Sequence, residues 1–236
     1  MTKIMRYELK RLLWNKFFAG LLAVTLLYGW QVLTGETLLG VARTAPFSPW
    51  SFGSYLGRLL PLLWVGTLFF LRFFTSEAAL RTAVLTDATP ADRRAYALTR
   101  CAAALVGAVL LTTAVLLLAG AFYSRYFRWH DWAALAPAAV VTLLPPLVFA
   151  LGSGWALAGL RPWLLYVWMP VPLILAALPL PEALGLWNGS LFSTYPLTLE
   201  TLDPGFQLPW SVWLAQGLLL AAGLALMTIR VSGRRR

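Results

Sequence analysis

Six apolar stretches occupy most of this 236-residue chain, and each is long enough to cross a lipid bilayer. A helix needs about 20 apolar residues to span the hydrocarbon core of a membrane. Only helices and closed barrels satisfy every backbone polar group in that core. Barrel strands alternate polar and apolar residues, whereas the stretches here are continuous, as in LVGAVLLTTAVLLLAG. The sequence therefore predicts an all-α membrane protein.

We predict a single transmembrane domain that covers residues 1–236 and contains six transmembrane helices. The fifth span contains Pro170, Pro172 and Pro179, so we expect it to be kinked or short. The six spans lie at about 17–33, 56–74, 101–122, 134–157, 163–180 and 210–229.

The basic residues fall mostly on one side of these spans. If the N-terminus is inside, all 19 Lys and Arg residues lie on the inner side except Arg43, Arg58, Arg125 and Arg128. Loops rich in Lys and Arg stay in the cytoplasm, so both termini are predicted to be cytoplasmic. The net charge of +10 is thereby explained by membrane orientation, and we expect no nucleic-acid partner.

Residues 2–16 predict an amphipathic interfacial helix ahead of the first span. Its apolar residues approximate one helical face: Ile4, Met5, Leu9, Leu12 and Leu13. Its basic residues lie largely elsewhere: Lys3, Arg6, Lys10 and Arg11. This pattern is typical of a helix in the membrane interface whose basic face meets anionic lipid. The alternative is a charged flank without a defined helix.

The largest inner segment, 75–100, predicts a helix, a turn and a second helix. A short helix is expected over residues 77–84. Pro90 biases Thr89 away from helical geometry, which ends that first part. The second helix continues through Arg100 into the third span.

Residue types suited to catalysis are few. His130 and Cys101 are the sole histidine and cysteine, too few for a site with three or four metal ligands. Ser153 could be the nucleophile of an intramembrane hydrolase, but it would need a neighbouring base, and His130 lies in an outer loop. Close helix packing through Gly152 and Gly154 is the favoured interpretation. No phosphate-binding G-x-x-x-x-G-K-[ST] sequence occurs, so we expect no enzymatic activity in this chain.

The segment after the second span carries a characteristic order of features. They are Glu77, then Leu80-Arg81, then Leu85-Thr86-Asp87-Ala88-Thr89-Pro90, then Arg93-Arg94, and finally Arg100 at the third span. With the basic helix before the first span, this order resembles the six-span permease subunits of type-2 ABC transporters, the exporter class. The resemblance covers the whole chain in topology.

That resemblance implies a half-transporter without a motor of its own. The partners would be soluble ATPase subunits, which bind ATP and Mg, and a second permease that is identical or a sister subunit; no cofactor is expected in this chain. The helix at about 76–86 would be the coupling helix that rests on the ATPase, with Glu77, Arg81 and Asp87 as contacts. The turn 158–162 would be a minor second contact, and 181–209 would match the family's re-entrant region.

The expected function is ATP-driven movement of a hydrophobic or amphipathic substrate (drug, lipid or peptide) across the bacterial cytoplasmic membrane. The spans are almost free of ionisable residues, which disfavours an ion-coupled carrier. One alternative is a non-transport membrane scaffold or an assembly factor of another complex, which would have no ATPase partner. Another is an intramembrane hydrolase, which would depend on Ser153.

Overall fold

The computed structural model describes residues 2–75, 93–199, 201 and 203–232. In these ranges the chain is helical and contains no strand. Two short 3-10 helices occur, at Thr37–Leu39 and Glu182–Leu184. The α-helices are α1 (Thr2–Leu13), α2 (Lys16–Gly35), α3 (Pro49–Thr75), α4 (Arg93–Tyr126), α5 (Trp132–Leu160), α6 (Leu164–Trp168), α7 (Val171–Ala177), α8 (Ser190–Thr198) and α9 (Trp210–Ser232).

Five of the described helices are long and apolar enough to cross a membrane: α2, α3, α4, α5 and α9. Each of them contains one of the predicted spans. Continuous apolar runs favour helices of this length because the backbone bonds are then satisfied within the segment. The chain is therefore an all-helical protein with the character of a multi-pass membrane protein.

The predicted span 163–180 differs, because it is not one continuous helix. It forms α6 and α7, which together cover Leu164–Ala177, fewer than the about 20 residues that a spanning helix needs. The break falls at Met169 and Pro170. Pro172 then occupies the first turn of α7, where the missing N–H of proline has no helical partner to lose. Six spans were predicted, the fifth of them kinked or short, and five helices long and apolar enough to cross a membrane are found in the described part of the chain.

Contacts to α3 define the two ends of the helix bundle. Near the C-terminus of α3, Arg72 Nε donates to Tyr166 Oη of α6 at 3.2 Å. Near its N-terminus, Trp50 Nε1 donates to the carbonyl oxygen of Pro204 at 2.9 Å. The chain thus passes from one end of the bundle to the other between Tyr166 and Pro204. It does so through α6 and α7, Leu164–Ala177, which we call the broken segment.

Helices α5 and α9 run in the same direction as α3. The loop before α5 lies beside the start of α3, since the rings of Phe47 and Trp129 stack at 4.7 Å. Helix α9 starts six residues after Pro204, at that same end. Helix α1 packs at the other end, where Leu12 approaches Gly107 of α4. We call that end the α1 end and the other the opposite end.

Helix α5 packs closely against α9 through glycine. A Cβ atom on Gly223 would lie 2.8 Å from the Cα atom of Phe149, and one on Gly152 would meet the carbonyl group of Gly223. Such approaches are closer than side chains allow, so the two backbones are in direct contact. The packing role predicted for the small residues around Ser153 is confirmed for Gly152.

Candidate coupling site at the α1 end

The segment predicted to couple to an ATPase connects α3 to α4 at the α1 end. Its residues Glu77, Arg81 and Asp87 lie outside the described residues. The described chain on both sides of that segment, together with α1, forms the candidate site. We call it the α1 junction and define it by Glu8, Arg11, Phe73, Phe74 and Arg100.

A buried ion pair joins α1 to α4 in this junction. Arg100 Nε lies 3.5 Å from Glu8 Oε1, and the side chains are 10% and 2% exposed, respectively. Each charge loses most of its hydration on burial, which is costly unless the two charges stay together. The position of α1 on α4 is thus linked to the pairing of these two groups.

The same guanidinium group also reaches α3. Arg100 Nη1 donates to the carbonyl oxygen of Phe74 at 3.5 Å. Phe74 is the second-last residue of α3, so its carbonyl belongs to the last turn, whose acceptors have no partner within the helix. A cation is also favoured near the negative C-terminal end of a helix. One side chain therefore connects α1, α3 and α4.

Arg11, which is partly exposed, contacts residues of both α1 and α3 in this junction. Its guanidinium carbon lies 5.0 Å from the ring centre of Phe73, within the range of a cation–π interaction. Arg11 Nη1 is 3.9 Å from Glu8 Oε2. The sequence predicted Arg11 as a residue of the basic face of the interfacial helix; in the structure its guanidinium group contacts Glu8 and Phe73.

The other predicted residues of the interfacial helix keep an outward position where the structure describes them. Arg6 and Lys10 are exposed, and the side chain of Lys3 lies outside the described part. The apolar face packs on protein: Leu12 is buried, and Met5 and Leu9 lie against the core. Helix α1 is amphipathic, as predicted, and its apolar side faces the bundle.

Glu8 was not predicted as a site residue, although the sequence contains a signal for it. Met5, Glu8, Leu9 and Leu12 follow the i, i+3, i+4, i+7 spacing of one helical face. An acidic residue on the apolar face of a helix requires a buried partner. The sequence could not identify Arg100 as that partner, since the two residues lie 92 positions apart.

Ser153 holds the broken segment against α5. Its Oγ accepts a hydrogen bond from Trp168 Nε1 of α6 at 2.9 Å and donates to the carbonyl oxygen of Phe149. His130 lies in the exposed loop before α5, with Nδ1 2.8 Å from the carbonyl oxygen of Arg128. The structure does not bring His130 and Ser153 together, because about six turns of α5 separate them.

An aromatic cluster in the core contacts both α6 and the segment around Trp187. The ring of Trp64 lies 6.1 Å from Trp168 and 5.5 Å from Trp187. Trp64 stands about four turns into α3, so the chain around Trp187 reaches well into the bundle. Phe192 of α8 packs on Gly53 and Gly57 of α3. Segment 181–209 thus folds back along α3.

The α1 junction connects α1, α3 and α4 through the side chain of Arg100. Among the described residues, no three His, Cys, Asp or Glu side chains come together as they would in a metal site.

Comparisons with known protein families, with curated proteins and with solved structures found no match to this chain.

Proposed function

We propose that this chain is the membrane-spanning permease subunit of an ATP-binding cassette transporter of the type-2 exporter class. It moves a hydrophobic or amphipathic substrate (drug, lipid or peptide) across the bacterial cytoplasmic membrane. A second permease, identical or a sister subunit, completes the path. Separate soluble ATPase subunits bind ATP and Mg and drive the movement.

The observation that carries this proposal is the connection that Arg100 makes between three helices. Arg100 bonds to Glu8 of α1 and to the carbonyl oxygen of Phe74 in α3. The proposed coupling segment joins the helix of Phe74 to the helix of Arg100. A displacement of that segment by a docked ATPase would therefore move α1, α3 and α4 together. Rigid-body movement of this kind is a common way to transmit conformational change.

The outward face of α1 supports a role at the same surface. Arg6 and Lys10 are exposed there. Both would interact favourably with anionic lipid headgroups or with an acidic surface of the ATPase. Their placement at the α1 end, where α3 ends and α4 begins, fits a helix that lies between the membrane and a docked motor.

The character of the described spans supports an apolar or amphipathic substrate. The buried charged residues in the described ranges are Glu8 and Arg100, both at the α1 end. Between the ends, the buried side chains are apolar or aromatic, with a few hydroxyl and amide groups. A strongly charged substrate would find few compensating charges along these helices.

Charge reversal in the coupling segment tests this proposal. We expect the double variant Glu77→Arg/Arg81→Glu to abolish co-purification of an ATPase from native membranes, together with ATP-dependent transport. Arg125→Glu is the matched control, because Arg125 is an exposed residue at the opposite end. It should leave both properties unchanged.

Two outcomes would contradict the proposal. If the double variant retains its ATPase and transports normally, the coupling assignment is wrong. If no ATPase co-purifies with the unmodified protein, the scaffold or assembly-factor function replaces the transporter.

A further inference from the structure

Two buried side chains of the spans, in the parts of α5 and α9 nearer the opposite end, each have a polar atom without a hydrogen-bond partner among the described residues. They are the hydroxyl of Thr142 in α5, at 0% exposure, and Oε1 of Gln216 in α9, at 3% exposure. Burial of an unpaired hydroxyl or amide costs free energy in any protein. In a membrane, surrounding lipid offers no hydrogen bond to relieve that cost.

Thr142 differs in this respect from the other buried threonines of the spans. The hydroxyls of Thr25 and Thr67 donate to carbonyl oxygens one turn earlier, at 2.7 and 2.8 Å. This local bond is the usual way for a threonine to satisfy its hydroxyl in a helix. Thr142 does not make it, which leaves its hydroxyl available to another group.

The register of α5 and α9 brings Thr142 and Gln216 to the same level. Phe149 and Gly223 mark a point of direct backbone contact between these helices. Thr142 precedes Phe149 by seven residues, and Gln216 precedes Gly223 by seven. Seven residues are about two helical turns, so both side chains return to the sides that meet at the contact. Because the helices run in the same direction, both side chains lie along the line where α5 packs on α9, which we call the seam.

A main-chain oxygen at this level also lacks its helical donor. The carbonyl of Thr142 would accept from residue 146 in an α-helix and from residue 145 in a 3-10 helix. Both positions are proline, inside α5, and proline has no N–H group. The seam therefore contains a carbonyl oxygen, a carboxamide oxygen and a hydroxyl that all have capacity for a further hydrogen bond.

We propose that Thr142 and Gln216 form a buried water-binding site in the seam between α5 and α9. A bound water donates to Oε1 of Gln216 and to the carbonyl oxygen of Thr142, and it accepts a hydrogen bond from the Thr142 hydroxyl. Buried waters typically make two to four such bonds to otherwise unsatisfied groups. The three groups are uncharged, which fits a neutral ligand, and the backbone contact at Gly223 keeps the seam narrow.

The water site has a consequence for α5. Inside a membrane, a helix tolerates proline where neighbouring groups or ordered water satisfy the freed backbone. The bound water would serve this purpose for the carbonyl oxygen of Thr142, which Pro145 and Pro146 leave without a helical donor. This inference does not depend on the transport proposal.

The direction of the stability change in two variants tests the site. If the polar groups are truly unpaired, removing one should stabilise the protein. If the two side chains share a water, removing either side chain leaves the water and the other side chain each with one hydrogen bond fewer. We therefore expect Thr142→Val and Gln216→Leu each to lower the thermal unfolding midpoint in lipid nanodiscs by a few degrees. We expect the double variant to lower it by less than the sum, since the two changes remove one shared arrangement.

Thr67→Val is the matched control, because its hydroxyl is satisfied within its own helix. The double variant Thr67→Val/Gln216→Leu should change the unfolding midpoint by the sum of the two single changes. A higher midpoint for either single variant, or additive effects of Thr142→Val and Gln216→Leu, would overturn the proposal.

A high-resolution cryo-EM map of the unmodified protein provides a second test, which holds even if a variant fails to fold. We expect a density peak within hydrogen-bond distance of Thr142 Oγ1 and Gln216 Oε1. A map in which these two side chains bond directly, with no water between them, would exclude the site.

Discussion

Arg100 is a residue that connects three helices at the α1 end. Its guanidinium group meets a carboxylate on α1 and a helix-terminal carbonyl on α3. Removing one member of a buried ion pair leaves the other as an uncompensated charge, whereas replacing both with apolar groups is often tolerated. The junction therefore depends on Glu8 and Arg100 being present together.

This dependence predicts a large effect for a small chemical change at Glu8. Glu8→Gln should lower the free energy of unfolding by about 3–5 kcal/mol, because it removes a buried carboxylate that lies 3.5 Å from the buried Arg100 guanidinium. Denaturant unfolding in detergent micelles measures the change.

The pair between Glu36 and Arg58 provides the control. Its oxygen and nitrogen are 2.7 Å apart, but its side chains are 47% and 52% exposed. Glu36→Gln should cost about 0–1 kcal/mol. Equal costs for the two variants would mean that Glu8 is not effectively buried.

Proline affects the helices of this chain differently according to their packing. Helix α5 continues through Pro137, Pro145 and Pro146, whereas the chain breaks at Pro170 between α6 and α7. Helix α5 is packed between α3 and α9, and those contacts stabilise it as a continuous helix. Segments α6 and α7 are less enclosed, with Tyr166, Val167, Leu173 and Ile174 exposed.

The contact between α5 and α9 predicts different effects for the same substitution, glycine to alanine, at two positions of α9. Gly223→Ala should destabilise the protein by about 1–3 kcal/mol, because its Cβ atom would overlap the backbone of Phe149. A Cβ atom added at Gly217 would meet no atom within 4 Å. Gly217→Ala should therefore be neutral or slightly stabilising, since alanine favours helices more than glycine does. Thermal unfolding measures both. A destabilisation of the same size at Gly217 would contradict the packing explanation.

The bundle as a whole has two chemically different ends. Helix α1, the buried ion pair and the last described turns of α9 lie at the α1 end. The opposite end carries stacked aromatic rings, such as Phe47 on Trp129, and the exposed Glu36–Arg58 pair. The charge distribution of the sequence predicts that the α1 end faces the cytoplasm.

Cysteine labelling in cells tests this orientation. In a Cys101→Ala background, His130→Cys should react with a membrane-impermeant maleimide in intact cells, because His130 lies in the exposed loop at the opposite end. Lys10→Cys should react only after the membrane is permeabilised. The reverse pattern would invert the topology and separate the coupling segment from any cytoplasmic ATPase.

The sequence by itself determined the properties that depend on short stretches of chain. The length of an apolar run predicts a helix, the spacing within residues 2–16 predicts the faces of α1, and Pro170 and Pro172 predict a defect in the fifth span. These features rest on hydrophobicity and backbone geometry within a few turns. The sequence therefore predicted most of the helices and the amphipathic character of α1.

Only the tertiary structure decided which distant residues meet. One partner of Glu8 is 92 positions away, and the acceptor for the Trp168 indole is Ser153 of another helix. These relations depend on the relative direction, rotation and axial shift of packed helices. Many apolar surfaces pack almost equally well in lipid, so the side chains of one helix do not specify the register of its neighbour until the bundle is assembled.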